Sequence, residues 1–231
     1  MKTCIVLFSG GIDSTTALYW ARKRFKNVAA LTFDYGQRHR IEIACSQKIS
    51  ARLGLTQKII KFDLSQIGGS SLTDKRESLP RFSSVEEIER DVPSTYVPFR
   101  NGIFLSVAAA WADVIEADAI LVGFNVIDSP NYPDTTESFA QAMEHAVNLG
   151  TRRSRQQKII RILAPFAGMR KSEILSTGLS LGADYSDSVS CYGGSEIPCG
   201  RCSSCLLRKK AWAVIGKEDH LMERLQKEGK P

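Results

Sequence analysis

Two hydrophobic rhythms alternate along this chain. Short runs rich in β-branched residues, at 3–8, 28–34, 57–63, 119–124 and 158–163, have the composition of buried strands. Between and after them, apolar positions recur at three- and four-residue spacing over 14–25, 41–53, 101–116, 136–149 and 171–181, the pattern of helices with one buried face. Strand followed by helix, repeated through the chain, predicts an α/β fold: a doubly wound, mostly parallel five-stranded sheet with helices on both faces. Ligands in such sheets bind beyond the carboxyl ends of the strands, so the residues just after each strand carry the most functional weight.

Residues 65–98 break the rhythm. They hold Gly68-Gly69-Ser70-Ser71, a charged segment, and then Pro93 and Pro98, without clear periodicity. An insertion of this kind is either a lid over a site or a surface loop. The residues from Lys217 onward read as a charged helical tail. The expected organisation is an α/β domain over 1–185, with the lid-like insertion at 65–98, followed by a metal-binding loop and helical tail over 186–231.

Composition narrows the class. With 231 residues, 43% hydrophobic and 24% charged, the chain can bury a core without disulfide staples, and disordered, collagen-like and coiled-coil classes are excluded. The net charge of +6 is modest and scattered; it suits a small anionic ligand and does not demand nucleic acid. The apolar run Ala108-Ala109-Ala110-Trp111-Ala112 stops at Asp113, far short of the roughly 20 residues that span a bilayer. The apolar residues from Cys4 end at Phe8, too soon for a signal-peptide core. A cytoplasmic protein is expected.

Chemistry concentrates at two places. Immediately after the first predicted strand stands Ser9-Gly10-Gly11-Ile12-Asp13-Ser14-Thr15-Thr16. Two glycines let the backbone approach a ligand, and the helix that follows offers free N–H groups and the positive end of its dipole to an anion. Three hydroxyls add donors. The loop lacks both the Gly-Lys-Ser/Thr ending of a Walker loop and the Gly-x-Gly-x-x-Gly spacing; an ordinary tight turn is the alternative. Near the other end, Cys191, Cys199, Cys202 and Cys205 have the spacing C-x7-C-x2-C-x2-C, and Gly200 permits the tight turn between them. Four thiolates with no open position make a structural zinc site. An iron–sulfur cluster or two disulfides are the other readings of four such cysteines. Cys4, at the start of a strand, and Cys45, within a helix, read as core.

Ser9-Gly10-Gly11-Ile12-Asp13-Ser14 resembles the SGGxDS signature of the N-type ATP pyrophosphatases, which cleave ATP between the α and β phosphates. Taken with the C-terminal cysteines, the chain resembles one family among them, the 7-cyano-7-deazaguanine synthases. Phe33-Asp34-Tyr35-Gly36-Gln37-Arg38-His39 is similar to that family's F-x-Y-x-Q-R-H, Val97-Pro98-Phe99-Arg100-Asn101 to its V-P-x-R-N, and Tyr132-Pro133-Asp134 to its Y-P-D, with Asp128 shortly before. Pro165 and Lys171-Ser172-Glu173-Ile174 match a proline and a K-x-E segment after the last strand. The resemblance runs from residue 3 to about 212. It departs at Pro130-Asn131-Tyr132-Pro133-Asp134-Thr135-Thr136: the family reads S-G-Y-P-D-C-R, and both its Cys and its Arg are Thr here. That leaves the substrate more open than the adenylation chemistry.

The resemblance implies an ATP- and Mg²⁺-dependent ligase that converts 7-carboxy-7-deazaguanine and ammonia to 7-cyano-7-deazaguanine, the queuosine precursor preQ0, with release of AMP and pyrophosphate. It implies an ATP-binding element made of Phe8, Ser9, Gly10, Gly11, Ile12, Asp13, Ser14, Thr15, Thr16, Ala17 and Leu18, with Asp13 helping to hold metal and phosphates. Lys171 is expected to neutralise phosphate charge, and Arg38 and His39 to lie near the reacting phosphate, with His39 as an acid or base near neutral pH. Arg100, Asn101, Asp128 and Asp134 are expected to contact the substrate. No glutaminase segment is evident, so ammonia is expected to be taken free. A homodimer is expected, this being the usual state of cytosolic enzymes. Two other readings stay open: a relative that adenylates a different deazapurine or a tRNA base, and a non-catalytic nucleotide- or zinc-binding scaffold.

Overall fold

The β-branched runs pair side by side. In the computed structural model, which describes residues 2–88, 91–125 and 131–230, β1 (Thr3–Leu7), β2 (Asn27–Asp34), β3 (Thr56–Lys61), β4 (Ala119–Leu121) and β5 (Arg161–Leu163) form one sheet in the order β3-β2-β1-β4-β5. Every neighbouring pair is parallel, and Ile5 of β1 sits opposite Ala29 on one side and Ile120 on the other. The fold is the doubly wound α/β arrangement that the alternation of strand and helix predicts. β4 and β5 are shorter than their apolar runs: Val122 beyond β4 still donates to the Leu163 carbonyl, but Lys158 before β5 turns back to bond the Arg153 carbonyl.

Side chains alternate across the sheet, and this decides where each helix lies. Cys4 and Val6 face α1 (Ile12–Arg22), α2 (Ile41–Arg52) and α6 (Lys171–Ser180) through Leu18, Ile49 and Ile174. Ile5, Leu31 and Phe33 face α3 (Arg100–Val114) and α4 (Glu137–Gly150) through Leu105, Ala108, Ala112, Ala140 and Val147. α5 (Arg152–Arg155) is a single turn between α4 and β5. Beyond the sheet, α7 (Ser203–Val214) packs Ala211 and Trp212 on Leu175 and Tyr185, and α8 (His220–Lys227) packs Leu221 and Leu225 against the cysteines.

Within 65–98 the described residues form no helix or strand beyond a turn at Leu64–Gln66. They are nonetheless anchored: Ser70, Ser71, Leu72 and Val97 are buried, and the Arg38 amide donates to the Leu72 carbonyl at 2.9 Å. Among the described residues no helix is long and apolar enough to cross a membrane.

Candidate active site and cysteine cluster

β1 is flanked by β2 and β4, and the connections from these strands run over opposite faces, which opens a crevice at their carboxyl ends. The predicted phosphate loop enters it. Gly10 has φ +89°, and a Cβ there would lie 3.0 Å from the Glu42 carbonyl, so only glycine lets the loop rest on α2. At Gly123, after β4, a Cβ would lie 3.0 Å from the Asp13 carbonyl carbon. The loop is thus wedged between two backbones. Its own hydroxyls tie it together: Ser9 and Ser14 Oγ are 3.2 Å apart, and Ser14 Oγ donates to the Gly11 carbonyl at 3.1 Å. No side chain caps α1, which leaves its N-terminal amides to the crevice.

Lys171, the first residue of α6, places Nζ 2.6 Å from Asp13 Oδ2. The other carboxylate oxygen, Asp13 Oδ1, and the Thr15 hydroxyl are buried without hydrogen-bond partners among the described residues. Anion-binding amides, a cation and an acidic oxygen with free lone pairs therefore meet at one point.

From this point a cavity of about 290 Å³ extends past β2 to the start of α3. Its far wall is aromatic: Phe33, Tyr35, Phe104, Tyr132 and Tyr192 line it, with Phe33 stacked on Phe104 at 4.0 Å. Arg100 lies among them. Its Nη1 donates to the Tyr35 hydroxyl at 3.2 Å, and its guanidinium sits 5.7 Å from the Tyr35 ring and 5.8 Å from the Phe104 ring. Arg100 Nε is shut off from solvent without a partner, and among the described residues Arg100 has no carboxylate in ion-pair range. Burial works against the charge, yet contact with the Tyr35 hydroxyl raises the guanidinium pKa above its ordinary value. The cation persists, with no anion of its own among the described residues.

His39 also lines the cavity. Its Nε2 lies 3.4 Å from Glu42 Oε1, and its buried Nδ1 has no partner among the described residues. Burial lowers its pKa, against the raising effect of Glu42, so the ring is neutral at pH 7.

Of the residues expected at the site, the cavity gathers Phe8, Ser9, Gly11, Ile12, Asp13, Ser14, His39, Arg100, Asn101 and Lys171. Others lie elsewhere. Arg38 donates to the carbonyls of Ser71 at 3.2 Å and Glu77 at 2.6 Å, fastening the insertion. Asp134 Oδ2 accepts from the Asn101 amide at 2.9 Å, an anion at the N-terminus of α3. Gly10 supports the loop from behind; Thr16 bonds Tyr185 at 2.6 Å; Ala17 and Leu18 are core; Thr15 is fully buried. Asp128 lies outside the described residues. At the departure from the family pattern, Thr135 lines the cavity and Thr136 caps α4 by accepting from the Phe139 amide at 3.1 Å. Sequence reasoning missed Phe104, Tyr132 and Tyr192 as wall residues. Phe104 stands one helical turn after Arg100, a signal that was there to use.

The cysteines converge as their spacing demands. All four Sγ atoms lie within 4.8 Å of one another. The amides of Gly193 and Cys199 donate to Cys191 Sγ, each at 3.3 Å, and the Cys202 amide donates to Cys199 Sγ at 3.4 Å. Hydrogen bonds from its sister thiols and from these amides favour the Cys191 thiolate, whereas crowding by that thiolate pushes Cys202 up to about 11 and raises Cys205 further. The four sulfurs hold their charges together only around a cation, so the donor set fits a metal ion. Cys4 and Cys45 are buried core residues.

The glycine- and hydroxyl-rich loop opening α1, the parallel sheet with its crevice beside β1, and the four-cysteine cluster define a doubly wound α/β fold with an anion-suited crevice. A solved 4-thiouridine synthetase–RNA complex with bound ATP shares that fold at a TM-score of 0.52 and 20% identity, over 93% of this chain and 50% of that one. The particular family follows from the sequence itself: residues 3–216 match the family described as queuosine biosynthesis protein QueC, and the chain belongs to it. It is 43% identical to the 7-cyano-7-deazaguanine synthase of Trichodesmium erythraeum, over 94% of this chain and 99% of the relative. It is 42% identical to the enzyme of the same name from Saccharophagus degradans, over 94% of this chain and 96% of that one.

Proposed function

We propose that this chain is an ATP-dependent carbon–nitrogen ligase that converts 7-carboxy-7-deazaguanine and ammonia to 7-cyano-7-deazaguanine, releasing AMP and pyrophosphate. The observation that carries this reading is Arg100: a cation with no carboxylate in ion-pair range among the described residues, walled by aromatic rings, in the same cavity as the loop that opens α1. Such a niche calls for a flat, anionic heterocycle beside a nucleotide.

A carboxylate resists attack because its oxygen is a poor leaving group. Its attack on the α-phosphate gives an acyl-adenylate and expels pyrophosphate; ammonia then displaces AMP to give the amide. A second ATP then adenylates the amide oxygen, again expelling pyrophosphate, and that oxygen leaves as AMP as the nitrogen gives up its two protons and the nitrile forms. The protein's work is positioning and charge stabilisation. Amides and hydroxyls at Ser9, Gly11 and Ser14 hold the departing phosphates, and Lys171 neutralises their charge. Arg100 orients the acid, and Asn101 beside it meets the ring. His39 takes a proton at Nδ1 when ammonium is the nitrogen source.

Asp13 has the free oxygen to hold magnesium, which when bound supplies charge neutralisation at the phosphates. Cys191, Cys199, Cys202 and Cys205 have the donor set for structural zinc, which when bound supplies a rigid cross-link. We place the enzyme in the cytoplasm as a homodimer acting on small molecules, not on nucleic acid, in keeping with its biosynthetic family.

Mass spectrometry of a reaction containing 7-carboxy-7-deazaguanine, ammonium and MgATP tests the proposal. The expected products are the nitrile, AMP and pyrophosphate. AMP formed only with a different acid would assign a related deazapurine, and no AMP with any acid would overturn the enzymatic reading.

A further inference from the structure

The cysteine cluster and the aromatic niche are one structure, and Tyr192 joins them. It follows Cys191 directly, lines the cavity, and packs against both the main core and the cysteine cluster. Its ring lies 5.7 Å from His39. Burial, and then the neighbouring Tyr132, raise its pKa, and the Tyr132 hydroxyl meets Thr95 Oγ1 at 2.9 Å. Thr95, Tyr132 and Tyr192 come from three distant segments: the insertion, the loop after β4, and the cysteine loop.

Backbone contact fixes that loop in place. Gly194 has φ +77°, and a Cβ there would lie 2.7 Å from the Arg38 carbonyl oxygen and 3.1 Å from His39 Cα. The amide bonds to Cys191 Sγ hold the same turn from the metal side.

We propose that Tyr192 is a substrate-contacting residue that sets specificity for the anionic heterocyclic acid, and that the cysteine cluster holds it in position. This rests on the function proposed above. One guanidinium and a set of neutral hydroxyls match the single charge of a carboxylate. The Thr95 and Tyr132 hydroxyls are paired with each other, and the one proton of the Tyr192 hydroxyl on the cavity wall is there for the ligand's anion.

The test is equilibrium calorimetry of 7-carboxy-7-deazaguanine binding in the presence of α,β-methylene-ATP, with that analogue titrated alone and metal content measured by elemental analysis. Tyr192→Phe deletes one hydroxyl and is expected to weaken acid binding roughly ten- to a hundredfold, the worth of one charge-assisted hydrogen bond. Affinity for the ATP analogue stays within about twofold and the metal is retained. Thr95→Val, outside the cavity, removes the partner of the Tyr132 hydroxyl on the same wall and is expected to weaken acid binding about threefold. Unchanged acid affinity in Tyr192→Phe would overturn the proposal. So would parallel loss of acid, ATP analogue and metal, which would make Tyr192 a structural residue. A wild-type protein that binds the ATP analogue but not this acid would instead overturn the function on which the proposal rests, and the acid's place in the niche with it.

Discussion

Replacing Arg100 by methionine separates a ligand-binding cation from a structural one, because the two roles predict opposite effects on stability. Methionine keeps the length of the side chain and its packing against Tyr35 and Phe104. The substitution forfeits one hydrogen bond to the Tyr35 hydroxyl, worth about 1 kcal/mol. It also forfeits two guanidinium–ring contacts, worth about 0.5–1 kcal/mol each where solvent still reaches. Against these losses stands relief from enclosing a charge that has no counter-ion among the described residues, a penalty of several kcal/mol for a buried ion and less for one half-buried on a cavity wall. The balance is near zero or favourable, so the variant is expected to melt at the wild-type temperature or up to about 4 °C higher. Acid binding is expected to fall at least ten- to a hundredfold, from the loss of a charge-assisted contact worth about 1.5–3 kcal/mol. Affinity for an ATP analogue should change less than about twofold. Circular-dichroism melting and calorimetry on the same preparation read all three quantities. A variant that melts more than about 5 °C lower and binds the acid as wild type does would refute the reasoning, since Arg100 would then be a strut.

Further substitutions and a metal analysis probe the rest of the site. Lys171→Met leaves Asp13 without its cation and removes charge from the phosphate site, so calorimetric affinity for MgATP is expected to fall at least tenfold; an unchanged affinity would remove Lys171 from the phosphate contacts. Elemental analysis is expected to find about one zinc per chain, and Cys202→Ser to lower the melting temperature, as structural zinc contributes to folding; iron in the purified protein would reassign the cluster. Asp134→Ala deletes the acceptor at the N-terminus of α3 and is expected to cost about 1–2 kcal/mol, or roughly 2–8 °C of melting temperature. Asp134→Asn should recover most of that loss, and wild-type melting of the alanine variant would show that the contact carries no weight.

The sheet was legible because its strands are buried on both faces and so read as near-continuous apolar runs, each followed by a helical period. The placement of the loop between β1 and α1 was legible because its residues are local: glycines, hydroxyls and an acid lie within a few residues of one strand end. The cysteines were legible by spacing. Arg38 and Asp134 show where such reading stops. Both belong to segments that approach the site, but a segment cannot tell which of its side chains turns inward. Arg38 turns to the insertion and Asp134 to a helix end, while their neighbours His39 and Thr135 take the cavity side. The aromatic wall was illegible for a related reason. Tyr35, Phe104, Tyr132 and Tyr192 come from four separate segments, and nothing in the order of residues announces that these rings meet.

The two threonines at the departure from the family pattern gain a physical meaning from their positions. Thr136 satisfies an amide at the start of α4, a role that arginine performs poorly, since it has no acceptor. Thr135 lines the cavity with a hydroxyl that is already donated to the Tyr132 carbonyl at 2.8 Å. Neither brings charge. Among the described residues that line the cavity, the cations are Lys171, held by Asp13 on the phosphate side, and Arg100; His39 is neutral. The acid side of this site therefore rests its electrostatics on Arg100, and rests its geometry on the hydroxyls around it. A site with one cation and several neutral donors discriminates by the direction of its hydrogen bonds more than by total charge. On the reading proposed above, selection among deazapurine acids accordingly falls to Tyr132, from the segment after β4, and Tyr192, from the cysteine loop.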